Sequence, residues 1–215
     1  MKTIILSAFS PFGDYPANTT ELVANKLNGK VLSGYRIHAE IFQAMIPRDD
    51  RGTYLLETAE HMDASCIICL GMGSEIIGLQ TENVAVNRVY SAKYCTVNQN
   101  WSRVDIMRPY GELLELDVGV WNIASFKENC AKMGLDASES HKPSAFCCNH
   151  LMYQLRLAQL RDEAFIEIPW IFIHVPCSPE SVPEPSDAFK KSGKITLEVS
   201  GVIRGLEILI SGATI

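Results

Sequence analysis

The sequence predicts an α/β protein, a single three-layer α/β/α domain over residues 1–215 with a mixed, mostly parallel central sheet. Short apolar runs recur at Thr3 to Ala8, Ser65 to Leu70 and Trp170 to Val175, and such runs are typical of strands buried on both faces. Between them, apolar residues recur at helical spacing. The alternation of strand and helix indicates parallel strands whose sheet is covered by helices on both sides.

The remaining elements of the N-terminal part follow from capping residues and periodicity. Asn18 or Thr19 is predicted to cap a helix whose apolar face carries Leu22, Val23 and Leu27. Further predicted elements are a loop over Phe9 to Asn18, a half-buried strand over Tyr35 to Phe42 with Ile37, Ala39 and Ile41 on its buried side, and a helix from Asp49 or Asp50 to about Met62.

The C-terminal part is less regular. No period is visible from Arg88 to about Glu115, which predicts a long loop that serves as a lid, an interface arm or a mobile segment. Later predicted elements are a helix over Trp121 to Met133, a short strand over Leu135 to Ser138, a loop over Pro176 to Pro185 and a final helix from about Ile195 to Leu209.

Composition excludes several classes of protein. A net charge of −6 and the lack of a basic stripe argue against nucleic acid as a partner. No apolar stretch reaches the roughly 20 residues that a membrane span needs, and the first apolar run is better interpreted as a strand than as a signal peptide. The seven cysteines are an odd number, so at least one is unpaired internally. We expect reduced thiols and a cytoplasmic protein.

The stretch from Ser144 to Tyr153 has the pattern of a turn that leads into a helix. Apolar residues follow at helical spacing, and Cys148 lies at the front of this helix. A helix N-terminus has unpaired N–H groups and a partial positive charge that favour a thiolate, so Cys148 is a candidate nucleophile. The alternative is that Cys147 and Cys148 are both small buried core residues.

Two distant residues complete a possible catalytic set. His174 follows the apolar run from Trp170, and Glu82 is a lone carboxylate at the head of a short apolar strand. A cysteine, a histidine and an acid supply a nucleophile, its base and a group that orients the base.

Four motifs, in the same order, resemble the type I pyroglutamyl peptidases, also called pyrrolidone carboxyl peptidases, a family of cysteine peptidases. Ala8-Phe9-Ser10-Pro11-Phe12-Gly13 resembles the opening G-F-E-P-F-G, with Asn18-Thr19-Thr20 near N-P-S/T. The second motif, G-L-A-P-G…E-R-[VI]-A-[VI]-N, is matched by Gly71 followed by Glu82. The third, Y-[VL]-C-N-[HY], resembles Phe146-Cys147-Cys148-Asn149-His150, and the fourth, F-I-H-V-P-Y-x-P-E, resembles Phe172 to Glu180.

This resemblance implies roles for individual residues. Cys148, and not Cys147, is the nucleophile, His174 is the base and Glu82 is the third member. The substrates implied are small peptides with an N-terminal pyroglutamate, a lactam without a charged amino group. An apolar pocket with few polar groups suits it, and Phe9, Phe12 and Asn18 are the expected binding residues. The resemblance also implies a homo-oligomer, without a cofactor or metal.

The chain departs from the family around these motifs, and two other functions stay open. Asn83 stands where the family has an arginine directly after the glutamate, and Ala92 stands where it has a second arginine ten residues after that glutamate. Two longer motifs also differ: the family's P-G-R is replaced by Ser74-Glu75-Ile76, and its N-S-A-G by His141-Lys142-Pro143-Ser144. One alternative is a zinc site from Cys148, His150, His174 and Cys177, although residues two apart on a helix do not easily face one metal. The other is a non-catalytic or altered-specificity protein that binds small molecules or peptides on the same fold.

Overall fold

The computed structural model describes residues 1–44, 51–87, 112–142, 144, 146–182 and 195–215. The strands within these ranges are β1 Thr3–Phe9, β2 Val31–Leu32, β3 Tyr35–Phe42, β4 Ala64–Met72, β5 Leu79–Glu82, β6 Val84–Val86, β7 Leu113–Glu115, β8 Ala137–Ser140 and β9 Trp170–Val175. The helices are α1 Thr19–Leu27, α2 Arg51–His61, α3 Ile123–Lys132, α4 Cys147–Arg161 and α5 Val199–Gly212, with short 3-10 turns at Glu163–Phe165 and Pro179–Ser181. None of the described helices is both long and apolar enough to cross a bilayer.

The main sheet has the strand order β2-β3-β1-β4-β9-β5-β8. Strand β1 is parallel to β3 and β4, β4 is parallel to β9, and β5 is parallel to β8. Strand β2 runs antiparallel to β3, and β5 runs antiparallel to β9. Strands β6 and β7 form a separate antiparallel pair. The predicted mixed, mostly parallel sheet is confirmed.

Helices cover both faces of this sheet. In β1, Ile4 and Leu6 pack on one face with apolar residues of α1, α3 and α5. Ile5 points to the other face and packs with residues of α2 and α4, as expected from the alternation of side chains along a strand. The predicted three-layer α/β/α arrangement is therefore confirmed.

Several predicted boundaries differ from the observed ones. The last helix begins at Val199 and not near Ile195, because the Leu197 N–H donates to the Cys177 carbonyl at 3.0 Å and this pairing holds the chain outside the helix. The predicted strand at Leu135 begins at Ala137, while β5 and β7 form where no strand was predicted. Ile41 is exposed, because the end of β3 packs through Phe42 on the opposite face. Asp49, Asp50 and residues 88–111 lie outside the described residues.

Candidate active site

Cys148 lies in the first turn of α4, as predicted from the sequence. Phe146, the residue before the helix, has extended backbone and provides no side-chain cap. The start of the helix is held in place by the side chain of Asn149, the residue after Cys148. Asn149 Oδ1 accepts the Val86 N–H at 2.8 Å, and Asn149 Nδ2 donates to the Val86 carbonyl at 2.9 Å. These two buried bonds hold the start of α4 on β6, four residues beyond Glu82. Our sequence reasoning gave Asn149 no role of its own.

His174 reaches Cys148 across a glycine. Gly71 of β4 is the direct neighbour of His174 of β9 in the sheet. A Cβ atom placed on Gly71 would lie 2.9 Å from Cys148 Sγ and 2.9 Å from His174 Cδ2. The sulfur and this ring edge can therefore be no further apart than twice that distance. The missing side chain of Gly71 provides the space that the thiol and the imidazole share.

Glu82 holds the other side of the imidazole. Glu82 Oε1 lies 2.7 Å from His174 Nδ1, and the two residues are only 4% and 9% exposed. A short bond of this kind in a buried place fixes the orientation of the ring. The second carboxylate oxygen, Oε2, is buried without a hydrogen-bond partner in the described part of the chain. The remaining ring nitrogen, Nε2, is bonded to Cδ2, the His174 atom that lies 2.9 Å from the Cβ position of Gly71.

The surroundings of Cys148 oppose the thiolate that the helix N-terminus was expected to favour. A hydrogen bond to the Cys147 side chain raises the pKa of the Cys148 thiol well above its ordinary value, and burial and the charge of Glu82 act in the same direction. A bond to its own backbone N–H lowers the pKa, but less. The balance of these effects favours the thiol form of Cys148 over the thiolate.

A cavity of about 670 Å³ opens over these residues. Cys148, His174 and Glu82 line it, together with Phe9, Phe12 and Asn18. Phe9 is 2% exposed and also packs in the core, so the part of the cavity wall that it forms is held in place. Phe12 is half-buried, with its ring centroid 5.2 Å from that of Tyr15. The structure therefore brings all six of the predicted site residues to one cavity.

Buried hydroxyl groups connect the wall of this cavity to the strand of His174. The Ser178 N–H donates to Thr19 Oγ1 at 2.6 Å, and Thr19 Oγ1 lies 3.0 Å from Ser181 Oγ. Asn18 caps α1 by accepting the Thr20 N–H at 3.0 Å, as the sequence predicted. Sequence reasoning missed the Thr19 network, although a threonine at the family's proline position was a signal for it.

Asn83, at the place of the family's arginine, binds to the edge of the sheet. Its Nδ2 donates to Glu139 Oε2 at 3.1 Å, and Lys127 Nζ donates to the other oxygen of Glu139 at 2.8 Å. The Asn83 N–H also donates to the Ser140 carbonyl at 3.0 Å. These bonds tie the end of β5, and with it Glu82, to β8.

Among the described residues, no group of three or more His, Cys, Asp and Glu side chains is placed to hold a metal ion.

The fold matches that of solved peptidases. The crystal structure of pyroglutamyl peptidase I from Bacillus amyloliquefaciens superposes with a TM-score of 0.75 at 24% identity, covering 99% of this chain and 94% of that one. Pyrrolidone carboxyl peptidase from Thermococcus litoralis gives a TM-score of 0.74 at 20% identity, with coverages of 99% and 93%. The architecture described above is thus the α/β fold of these two structures.

Sequence comparison identifies the family. The pyrrolidone-carboxylate peptidase of Bacillus mycoides is 28% identical over 217 residues, covering 100% of this chain and 94% of that protein. That of Streptococcus suis is 29% identical over 211 residues, with coverages of 96% and 90%. The family profile described as pyroglutamyl peptidase matches residues 1–213. The chain belongs to the pyroglutamyl peptidase family and is a cysteine peptidase by class.

Proposed function

We propose that this protein removes an N-terminal pyroglutamyl residue from small peptides through Cys148, His174 and Glu82. The observation that carries the proposal is the 2.7 Å pair of Glu82 and His174, placed beside Cys148 at the Gly71 gap. A histidine fixed by a carboxylate on one nitrogen and facing a thiol with the other is the arrangement that nucleophilic catalysis needs.

The first step is attack on the scissile carbonyl. Because its surroundings keep Cys148 protonated, His174 Nε2 accepts the thiol proton as the sulfur–carbon bond forms. Glu82 stabilises the imidazolium through Nδ1. Backbone N–H groups of the first turn of α4, which have no acceptor within the helix, stabilise the oxyanion.

The second half of the reaction releases both products. The carbon–nitrogen bond breaks, and the imidazolium gives its proton to the departing amine. The pyroglutamyl group is then held as a thioester on Cys148. Water, deprotonated by His174, adds to this acyl-enzyme, and its collapse returns the thiol and frees pyroglutamate.

The cavity accounts for the choice of an uncharged ring. Phe9 and Phe12 offer flat apolar walls, and Asn18, which also lines the cavity, holds the loop between them by donating to the Ser10 carbonyl at 3.0 Å. An ordinary N-terminal residue would bring an ammonium group into this place. Burial of a charge against the apolar walls of Phe9 and Phe12 is costly, so the neutral lactam is preferred beside them, although Asp14 and Glu75 also line the cavity.

Other properties of the chain remain predictions. The six cysteines in the described ranges are reduced, as the proposed thiol chemistry requires, and we propose a cytoplasmic location on this ground. That residues 1–215 form one domain and that the protein is a homo-oligomer stay predictions.

An assay with a fluorogenic pyroglutamyl amide tests the proposal. Cys148→Ala and His174→Ala should each reduce kcat by a factor of roughly 10⁴ or more, whereas Glu82→Gln, which keeps a hydrogen bond to the ring, should cost roughly 10²-fold. Cys130→Ala is the matched control, since Cys130 is a buried thiol in the opposite core and does not line the cavity. Retained activity in Cys148→Ala would show that another group is the nucleophile.

The raised pKa of Cys148 favours one alternative, a protein that binds pyroglutamyl peptides without cleaving them. Isothermal titration with an uncleaved pyroglutamyl peptide separates the two functions. Binding without turnover by the native protein would support the alternative.

A further inference from the structure

Two cysteines, and not one, face the candidate site. Cys147 and Cys148 are the first two residues of α4, and both line the cavity. Cys148 is 9% exposed, while Cys147 is half-buried and more accessible. The family motif has valine or leucine at the first of these positions. The second thiol is thus a property of this chain and has no role in the proposed hydrolysis.

The other described thiols are placed differently. Cys66 and Cys69 of β4 and Cys130 of α3 are 0% exposed and lie in the core. Burial raises the pKa of Cys69 to about 12 and that of Cys130 to about 11, so both remain inert thiols. Within the described ranges, only Cys147 and Cys148 are neighbouring thiols at a cavity that a solute can enter.

The side chains of the two cysteines are within hydrogen-bond reach of each other, because the Cys147 side chain bonds to the Cys148 thiol. Consecutive residues of a helix nevertheless project about 100° apart, so a covalent bond between the sulfurs requires the first turn of α4, closed by the 3.0 Å bond from the His150 N–H to the Phe146 carbonyl, to open. Consecutive Cα atoms are about 3.8 Å apart, which is shorter than the usual separation in a disulfide. A disulfide here is strained, and strained disulfides are easily reduced.

We propose that Cys147 and Cys148 form a reversible dithiol site, which hydrogen peroxide oxidises to a disulfide and which a dithiol reductant restores. In this state Cys148 cannot act as a nucleophile, so the site is an oxidative off-switch. The inference rests on the proposed function only for this consequence, because the oxidation itself requires no substrate.

The chemistry proceeds in two balanced steps. The sulfur of Cys147, the more accessible residue, attacks peroxide; an S–O bond forms, the O–O bond breaks, and the departing hydroxide takes the thiol proton to leave as water. Cys148 then attacks the sulfenic sulfur; the S–S bond forms, the S–O bond breaks, and a second water leaves with the second thiol proton. Two thiols are oxidised and one peroxide is reduced.

Cys147 therefore decides whether the oxidation of this site is reversible. Without a neighbouring thiol, the sulfenic acid of a nucleophilic cysteine is oxidised further to the sulfinic acid, which thiol reductants do not restore. With Cys147 present, oxidation stops at the disulfide.

Peroxide treatment followed by alkylation and peptide mass mapping tests the proposal. The background is Cys95→Ser, because Cys95 lies outside the described residues and must not supply another partner. We expect the peptide that contains both cysteines to lose two hydrogens and take no label, with activity lost in parallel. Dithiothreitol should restore both thiols and at least about 80% of the activity, as expected for a strained, reducible bond.

Cys147→Val in the same background is the matched variant, with activity compared to its own untreated sample. Its Cys148 should appear as sulfinic acid, and dithiothreitol should not restore activity. If the background protein keeps two alkylatable thiols at these positions, or is inactivated as irreversibly as the variant, the proposal is wrong. The mass measurement holds even if untreated protein cleaves no pyroglutamyl substrate, so the two failures are distinguishable.

Discussion

At the scale of single residues, the state of Cys148 decides how the site works. Its pKa is raised by the Cys147 side chain first, and then by burial and nearby charge. The pairing of Glu82 with His174 at 2.7 Å gives the site a base that is already oriented. In the proposed mechanism the thiol of Cys148 therefore depends on His174 as its base at the moment of attack.

Cys147→Val should lower the pKa of Cys148, because the substitution removes the hydrogen bond that raises it most. The rate of alkylation of Cys148 by iodoacetamide, followed against pH, should then rise at a lower pH than in the native protein. Cys130→Val is the control and should leave the profile unchanged. A Cys147→Val profile that coincides with the native one would show that burial alone sets the pKa.

At the scale of elements, the site is made where three elements converge. Strands β4 and β9 place Gly71 beside His174, and α4 brings Cys148 over both. The start of α4 is held by the two bonds between Asn149 and Val86. The geometry of the thiol and the imidazole thus depends on a close approach of the helix to the sheet, which requires a residue without a side chain at the contact.

Gly71→Ala should reduce activity more than stability. The added Cβ would lie 2.9 Å from Cys148 Sγ, His174 Cδ2 and Phe172 Cε1, and Phe172 is fully buried, so the side chains of Cys148 and His174 must move. A displacement of about 1 Å at a reacting group costs roughly 10²-fold in kcat, while overpacking costs about 1–3 kcal/mol of unfolding free energy.

Gly212→Ala is the control for this substitution, because nothing lies within 4 Å of a Cβ atom placed there. Steady-state kinetics and urea denaturation of both variants measure the two quantities. A Gly71→Ala enzyme with native kcat would mean that α4 can retreat without loss of catalytic geometry.

At the scale of the whole molecule, buried ionisable groups set the pH range of stability. Burial, helped by the charge of Arg51, lowers the pKa of His150 to about 4. On the alkaline side, burial raises the pKa of Cys66, of Cys69 to about 12 and of Cys130 to about 11. The folded protein thus keeps these groups neutral where the unfolded chain would charge them.

The unfolding free energy should be greatest between about pH 6.5 and 8.5, the ordinary pKa values of histidine and cysteine. Below this range the unfolded chain binds a proton that buried His150 does not, so stability falls by up to about 3 kcal/mol as the pH approaches 4. Above it the unfolded thiols lose protons that the folded ones retain, and stability falls again.

Urea denaturation across pH measures this profile. The substitution His150→Tyr introduces a residue that the family motif also accepts. It should remove much of the fall in unfolding free energy at acid pH and leave the fall at alkaline pH unchanged. An acid decline that is the same in the variant would assign the effect to other groups.

Local sequence patterns determined much of this protein. The apolar run at Trp170 predicts β9 to the residue, and Asn18 caps α1 as its type and position predict, because both signals depend on neighbouring residues. The cysteine at the front of α4 follows from the same kind of pattern. Periodicity does not pair Glu82 with His174, which are 92 residues apart; their residue types made them candidates, and the family resemblance assigned their roles.

The tertiary structure decided what depends on distant partners. Strand β5 exists because β8 and β9 supply its hydrogen bonds, and Thr19 meets Ser178, 159 residues away, only in the folded chain. The sequence placed Cys148 at a helix N-terminus and so predicted a lowered pKa. In the folded protein the direction is reversed, because the neighbouring Cys147 side chain raises this pKa most, and burial and the charge of Glu82, which act only once the chain has packed, add to it.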